Sequence, residues 1–199
     1  MMNYKQYMSD NNIVIDRIVA ISNTGPLISV FQSGRIDLLK IYFSLIYITA
    51  SELNELEKHV WSKEIHTLID EKLIIVIEHL TKLEKESSIQ IAKKIAKHSA
   101  SGSTDWREHL PEAEAIALMA QMSDLWADVI LLDERSAREV ANELNLSVIG
   151  FPGLLLRAGF DRILTRNEIL QILRICQQCG THYSNHLIET IVKLMESEK

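Results

Sequence analysis

Cysteine, proline and glycine are scarce in this chain, with two, three and seven among 199 residues. Two cysteines, Cys176 and Cys179, cannot build a disulfide framework and fit a reducing compartment. So little proline and glycine excludes collagen-like and low-complexity architectures, while 47% apolar and 24% charged residues describe a globular chain long enough for one full core. Long hydrophobic runs are absent too. None approaches the roughly 20 residues needed to cross a bilayer, and Met1 to Asn12 is polar without an apolar signal segment, so a cytoplasmic protein with no membrane partner is expected. Positive charge is in deficit, with a net charge of −6. That excludes a surface built as a whole to coat nucleic acid, although a local basic groove stays open. Ser22, Ser51 and Ser136 have no Gly-x-Ser-x-Gly elbow around them, and there is neither a P-loop nor a G-x-G-x-x-G. Trp61, Trp106 and Trp126 are scattered as packing residues are, not grouped as a base-stacking platform.

What is present is an alternation of strand-like and helix-like segments. Ile13 to Ile21 reads as a buried strand that hands over, through Ser22-Asn23-Thr24-Gly25-Pro26, to a helix with Pro26 as its first residue. Leu45 to Thr49 is a second β-rich run, followed by a helix N-capped by Ser51 that carries Glu52, Glu55 and Glu57 on an exposed, charged face. Leu73 to Ile77 is a continuous apolar run typical of a strand buried on both faces. Strands Val129 to Leu132 and Ser147 to Ile149 follow helices that begin at Pro111 and Arg135. This alternation predicts an α/β domain with a parallel sheet over residues 1–160, including a polar leader at 1–12. Residues 161–199 read as a C-terminal helical extension packed on the same domain, with Thr165 and Ser184 as N-caps and Gly180 as a C-cap. Ser99 to Thr104 is the clearest loop and is expected on the surface beside the site.

Acids fall where such a sheet presents its ligands, beyond the carboxyl ends of strands. Asp133 follows the Val129 strand, and Glu112 and Glu114 open the Pro111 helix. That pairing is the layout of a carboxylate metal site, since a hard cation prefers oxygen ligands and a few carboxylates from distant segments suffice to hold it. Glu112 and Glu114 stand about 200° apart in helical projection, so they cannot both face one ion squarely, and spacing does not choose between them. Each acid also has a reading without metal: Glu112 in the first turn favoured by the helix dipole, Glu114 on a solvated flank, Asp133 as an N-cap of the Arg135 helix. Cys176, Cys179, His182 and His186 form C-x2-C-x2-H-x3-H, but ordinary zinc modules separate their pairs more widely, which favours small buried cysteines and surface histidines.

Five segments, taken in order over roughly residues 17 to 195, carry a resemblance. They are Val19-Ala20-Ile21-Ser22-Asn23-Thr24-Gly25-Pro26-Leu27-Ile28; Tyr47-Ile48-Thr49 with Glu55-Leu56; Glu112-Ala113-Glu114-Ala115-Ile116; Leu131-Leu132-Asp133-Glu134-Arg135-Ser136-Ala137-Arg138; and Val148-Ile149-Gly150 with Gly153-Leu154-Leu155-Leu156-Arg157-Ala158. Together they resemble a PIN-domain branch related to VapC-type toxins. The resemblance implies a three-layer α/β/α fold with a central parallel sheet, and an acidic pocket binding Mg²⁺ or Mn²⁺ for hydrolysis of RNA phosphodiester bonds. It also implies a homodimer and a small antitoxin partner in a toxin–antitoxin pair. It puts the first acidic position on Asn23, the second on Glu55, the helical one on Glu112 or Glu114, and the last on Asp133. Asn23 departs from the pattern, because an amide oxygen can assist at a cation but brings no charge. Two functions therefore stand side by side: a metal-dependent endoribonuclease, and a catalytically impaired PIN-like module that binds RNA or protein. Arg135, Arg138 and Arg157 offer planar bidentate donors to the phosphate backbone, against the alternative that they pair with acids on their own helices.

Overall fold

The computed structural model describes residues 7–8, 14–58, 60–121 and 126–196. A short antiparallel pair comes first, β1 (Tyr7–Met8) with β2 (Val14–Ile15). There follow β3 (Ile18–Ser22), α1 (Thr24–Gln32), α2 (Ile36–Tyr42), β4 (Phe43–Thr49), α3 (Ala50–Lys58), α4 (Ser62–Asp70), β5 (Ile74–Ile77) and α5 (Lys82–Lys97). A 3-10 turn (Trp106–His109) leads into α6 (Leu110–Ala120), then β6 (Val129–Leu131), α7 (Arg135–Glu143), β7 (Val148–Ile149), α8 (Phe151–Phe160), α9 (Arg166–Gln178) and α10 (Asn185–Glu196).

The main sheet runs β5-β4-β3-β6-β7 with every neighbouring pair parallel. Parallel neighbours need crossover connections, and helices make them on both faces. Side-chain alternation along the central strands sends Ala20, Val129 and Leu131 into one core with Leu27, Leu154 and Ile172, and Ile21 and Ile130 into a second with Ile95, Ile116 and Val140. The result is the three-layer α/β/α arrangement expected from the sequence. Helix α6 is buried along Ala113, Ala115, Ile116, Ala117 and Leu118, so the acids at its start are set into the protein by the packing of the turns that follow. No helix among the described residues is long and apolar enough to cross a membrane.

Several local expectations are corrected. The first strand is not continuous: Asp16 and Arg17 separate β2 from β3, and Ile13 lies outside the described residues. The leader supplies β1, and its other residues are likewise outside the description. The apolar run at Leu73 to Ile77 is an edge strand paired only with β4, and Ile75 is 42% exposed. At a sheet edge the covering helices end, so one face of an apolar strand is left partly open. Thr49, not Ser51, makes the capping box of α3: its backbone N–H donates to Glu52 Oε2 at 2.6 Å, and its hydroxyl oxygen stands 3.5 Å from the Glu52 N–H. Glu52 is consequently fully buried rather than part of an exposed charged face. In the C-terminal helices the amino-terminal caps fall as read, with a Thr165–Glu168 capping box and Ser184 accepting from the Leu187 N–H, whereas the C-cap of α9 is Cys179, and Gly180 follows it at φ +96°.

From β3 the chain crosses to β4 on one side, while β6 lies on the other. Such a reversal opens a crevice beyond the carboxyl ends of the two strands. Ser22 is in register with Leu131, and the Asn23 N–H donates to the Leu131 carbonyl at 3.0 Å. Asn23 and Asp133 are thereby brought to the same edge.

Candidate metal centre

Asn23 caps α1, its Oδ1 accepting from the Gly25 N–H at 3.1 Å, while its Nδ2 is buried without a partner. The Nδ2 is thus an unsatisfied donor, while the Oδ1, through which the resemblance implied a contribution, keeps a second lone pair. Asp133 is also engaged, but not as the cap of α7, a position held by Glu134. Its Oδ1 accepts from the Phe151 N–H at 2.8 Å, at the start of α8, and its Oδ2 accepts from the Tyr183 hydroxyl at 2.9 Å. Burial pushes the Asp133 carboxyl above its ordinary range, opposed by these two hydrogen bonds and by the Arg138 charge. The α8 connection fits only because residue 150 is glycine: a Cβ there would stand 2.6 Å from Asp133 Oδ1.

Acids from α3, α6 and the β6–α7 junction lie near one another, and among the described residues no lysine or arginine is ion-paired with them. Thr24 donates its hydroxyl proton to Glu55 Oε2 at 2.9 Å, tying α3 to the start of α1. Glu112, in the first turn of α6, has an Oε2 that is buried and without a hydrogen-bond partner. Desolvation raises the Glu112 pKa to about 7, and the charges of Glu134 and Glu55 add to the rise while His109 opposes it. Glu134 Oε1 accepts from the Ser136 hydroxyl, and its Oε2 stands 3.6 Å from His109 Nδ1. One ligand atom each from His109, Glu112 and Glu134 lies within 4.8 Å of the others. Donors about 2.1 Å from a common ion stand about 3 to 4 Å apart at tetrahedral or octahedral angles, so slight contraction closes this group on a cation. An orphaned carboxylate oxygen flanked by two further acids fits a divalent ion.

Glu114 faces elsewhere. It accepts from the Ser51 hydroxyl, with Thr49 Oγ1 at 3.4 Å, beside a cavity of about 130 Å³ that Glu78, His79 and Lys85 also line. The angular separation of the two α6 glutamates thus becomes two different surroundings. Fully buried Glu52 lies between them electrostatically: burial drives its pKa well upward, and the Glu114 and Glu112 charges add to the rise.

A larger cavity, about 630 Å³, opens beside Asp133 and Glu134 between α7 and the segment Thr181 to Leu187. Arg138 and Arg135 line it. Arg135 pairs with Glu139 one turn on, at 2.8 Å, while among the described residues Arg138 has no ion-pair partner. Arg157 is not brought here. It pairs with Asp161 at 2.7 Å, and Asp161 also accepts from Tyr42, just before the amino end of β4 and thus at the opposite end of the sheet. Cys176 is buried, but Cys179, expected to be buried as well, is exposed at the end of α9; His182 and His186 are at the surface, and among the described residues these four form no metal-ready group.

Sequence reasoning passed over His109, Glu134 and Thr24 as site residues. His109-x2-Glu112 was legible as a pair one helical turn apart, a spacing that places two ligands on one face. The approach of Glu134 was not, because it depends on how α7 packs against α6. Curated proteins provide no match to the chain. A family model described as PIN domain matches residues 19–197, which takes in the main sheet from the second residue of β3 onward and all of the acids gathered at its carboxyl edge. The chain belongs to the PIN-domain family.

Proposed function

We propose that the protein is a divalent-metal-dependent ribonuclease acting at the crevice between β3 and β6. The observation that carries this reading is the buried, unpartnered Glu112 Oε2 near Glu55 and Glu134, with no lysine or arginine among the described residues paired to it. Taking several carboxylates out of water is costly unless a cation offsets them. Glu112, Glu134 and Glu55 would hold Mg²⁺ or Mn²⁺, which supplies an activated water and offsets charge on the reacting phosphate. Asp133 orients the β6–α7 and α8 backbones around them, and Asn23 holds the start of α1 at the same edge. Arg138, in the adjoining cavity, gives the RNA backbone a cation without drawing on an existing ion pair. The branch related to VapC-type toxins, and with it a small antitoxin partner and a homodimer, belongs to the same proposal on the strength of the sequence resemblance.

The test is cleavage of a mixed single-stranded RNA pool by purified protein with Mg²⁺ or Mn²⁺ against the same protein in chelator. Metal-dependent cleavage lost in Glu112→Gln supports the reading; cleavage unaffected by chelation, or by that substitution, contradicts it. A second reading, binding of RNA without cleavage, is favoured by one specific observation: Asn23 presents an amide donor where a carboxylate would add charge. RNA binding without cleavage in either metal, and cleavage appearing in Asn23→Asp, would select it.

A further inference from the structure

The acidic cluster contains a nitrogen donor, and its surroundings are built around that nitrogen. His109 is 5% exposed. Its Nε2 lies 3.0 Å from the Ser103 carbonyl and 2.9 Å from the Ser101 hydroxyl, and that hydroxyl itself donates to the same carbonyl at 2.7 Å. A carbonyl oxygen only accepts, so Nε2 carries the ring proton. The lone pair of Nδ1 is left facing the carboxylates, at 3.6 Å from Glu134 Oε2, a separation too long for a hydrogen bond and well suited to two ligands on one ion. Three features converge on that point: the buried ring, the unpartnered Glu112 Oε2, and the Ser136 hydroxyl that turns the other oxygen of Glu134 away. Holding the far ring nitrogen on a backbone carbonyl is how a histidine ligand is kept in the correct tautomer and orientation.

We propose that His109 Nδ1, Glu112 and Glu134 form a mixed nitrogen–oxygen site that selects Mn²⁺ over Mg²⁺. This rests on the metal-dependent reading above and deepens it by naming the ion. Mg²⁺ is hard and seeks oxygen, whereas imidazole contributes much more to a first-row transition ion, so one nitrogen among carboxylates shifts preference toward Mn²⁺. The loop Ser99 to Thr104 acquires a role, since Ser101 and Ser103 set the ring that makes the selection.

The experiment pairs calorimetric titration of the full-length protein with Mn²⁺ and with Mg²⁺ and electron spin-echo spectroscopy of the Mn²⁺-loaded protein. Mn²⁺ is expected to bind at least about tenfold more tightly than Mg²⁺, with modulation from a directly bound ¹⁴N. In His109→Gln the nitrogen signal disappears and the affinity ratio collapses toward unity while Mg²⁺ affinity changes little. Ser101→Ala, which keeps the ligand and loosens its hold, reduces the ratio part of the way. If His109→Gln does not fold, the wild-type spectrum still decides: bound Mn²⁺ without nitrogen coupling overturns the proposal. Equal affinity for both ions without nitrogen coupling overturns it while leaving the nuclease reading intact, whereas failure to bind either ion overturns both.

Discussion

Replacing Glu112 with glutamine should make the metal-free protein more stable above neutral pH and leave it unchanged in acid. The native Glu112 carboxyl ionises at about 7, against 4.5 for an unperturbed glutamate, because it is desolvated and faces Glu134 and Glu55. Between those two values the folded protein keeps a proton that the unfolded chain has already released, so stability falls as pH rises through this window. Below 4.5 both states are protonated at this site and no penalty exists; above 7 the penalty is complete. A rise of this size corresponds to about 3 kcal/mol, reduced to about 2 to 3 kcal/mol because the side chain keeps some contact with solvent. Glutamine preserves shape and removes the charge, so Glu112→Gln should gain about that amount at pH 8 in chelator. Urea unfolding at pH 4 and pH 8, followed by circular dichroism, measures it. Saturating Mn²⁺ should reverse the order at pH 8, because the wild-type carboxylate then gains a cation and the variant does not. Equal stability of the two proteins at pH 8 without metal would refute the account of Glu112 as an uncompensated buried acid.

Three further outcomes follow from the same geometry. Asn23→Asp adds a carboxylate at the carboxyl end of β3 while still capping α1, and should tighten Mn²⁺ binding by about tenfold, or about 1.4 kcal/mol, in calorimetry; unchanged affinity would place Asn23 outside the metal's reach. Gly150→Ala drives a Cβ against Asp133 Oδ1 and should cost about 1 to 3 kcal/mol in thermal unfolding, and a neutral result would mean that the β7–α8 turn yields easily. Arg138→Gln should weaken RNA binding in fluorescence anisotropy by several-fold without altering Mn²⁺ affinity, whereas Arg157→Gln, at the far end of the sheet, should leave RNA binding unchanged; equal losses would move the RNA path away from the cavity beside α7.

The parts of the site legible in the sequence are those set by local chemistry. Asp133 after an apolar strand, the acids after Pro111 and the Asn23 turn all lie at strand or helix ends that periodicity and capping reveal. Glu52 shows the limit of such reasoning. Beside Glu55 and Glu57 it reads as one of a solvated run, yet its reciprocal bonds with Thr49 fold it back into the interior. Asp133 shows it in another way. A carboxylate beside a helix start was expected, but the helix whose N–H it accepts is α8, and the Tyr183 hydroxyl reaches it from the segment between α9 and α10.

By itself the sequence determined the α/β class, the parallel strands, the amino-terminal caps of the last two helices and the edge on which acids gather, because those depend on residues a few positions apart. Only the tertiary structure decided which α6 glutamate meets Glu55 and Glu134, that Asn23 is left with a donor, and that His109 joins the acids. Those outcomes are distances between side chains on separate elements. They are fixed by how α3, α6 and α7 pack around the crevice between β3 and β6, and no spacing along the chain encodes them.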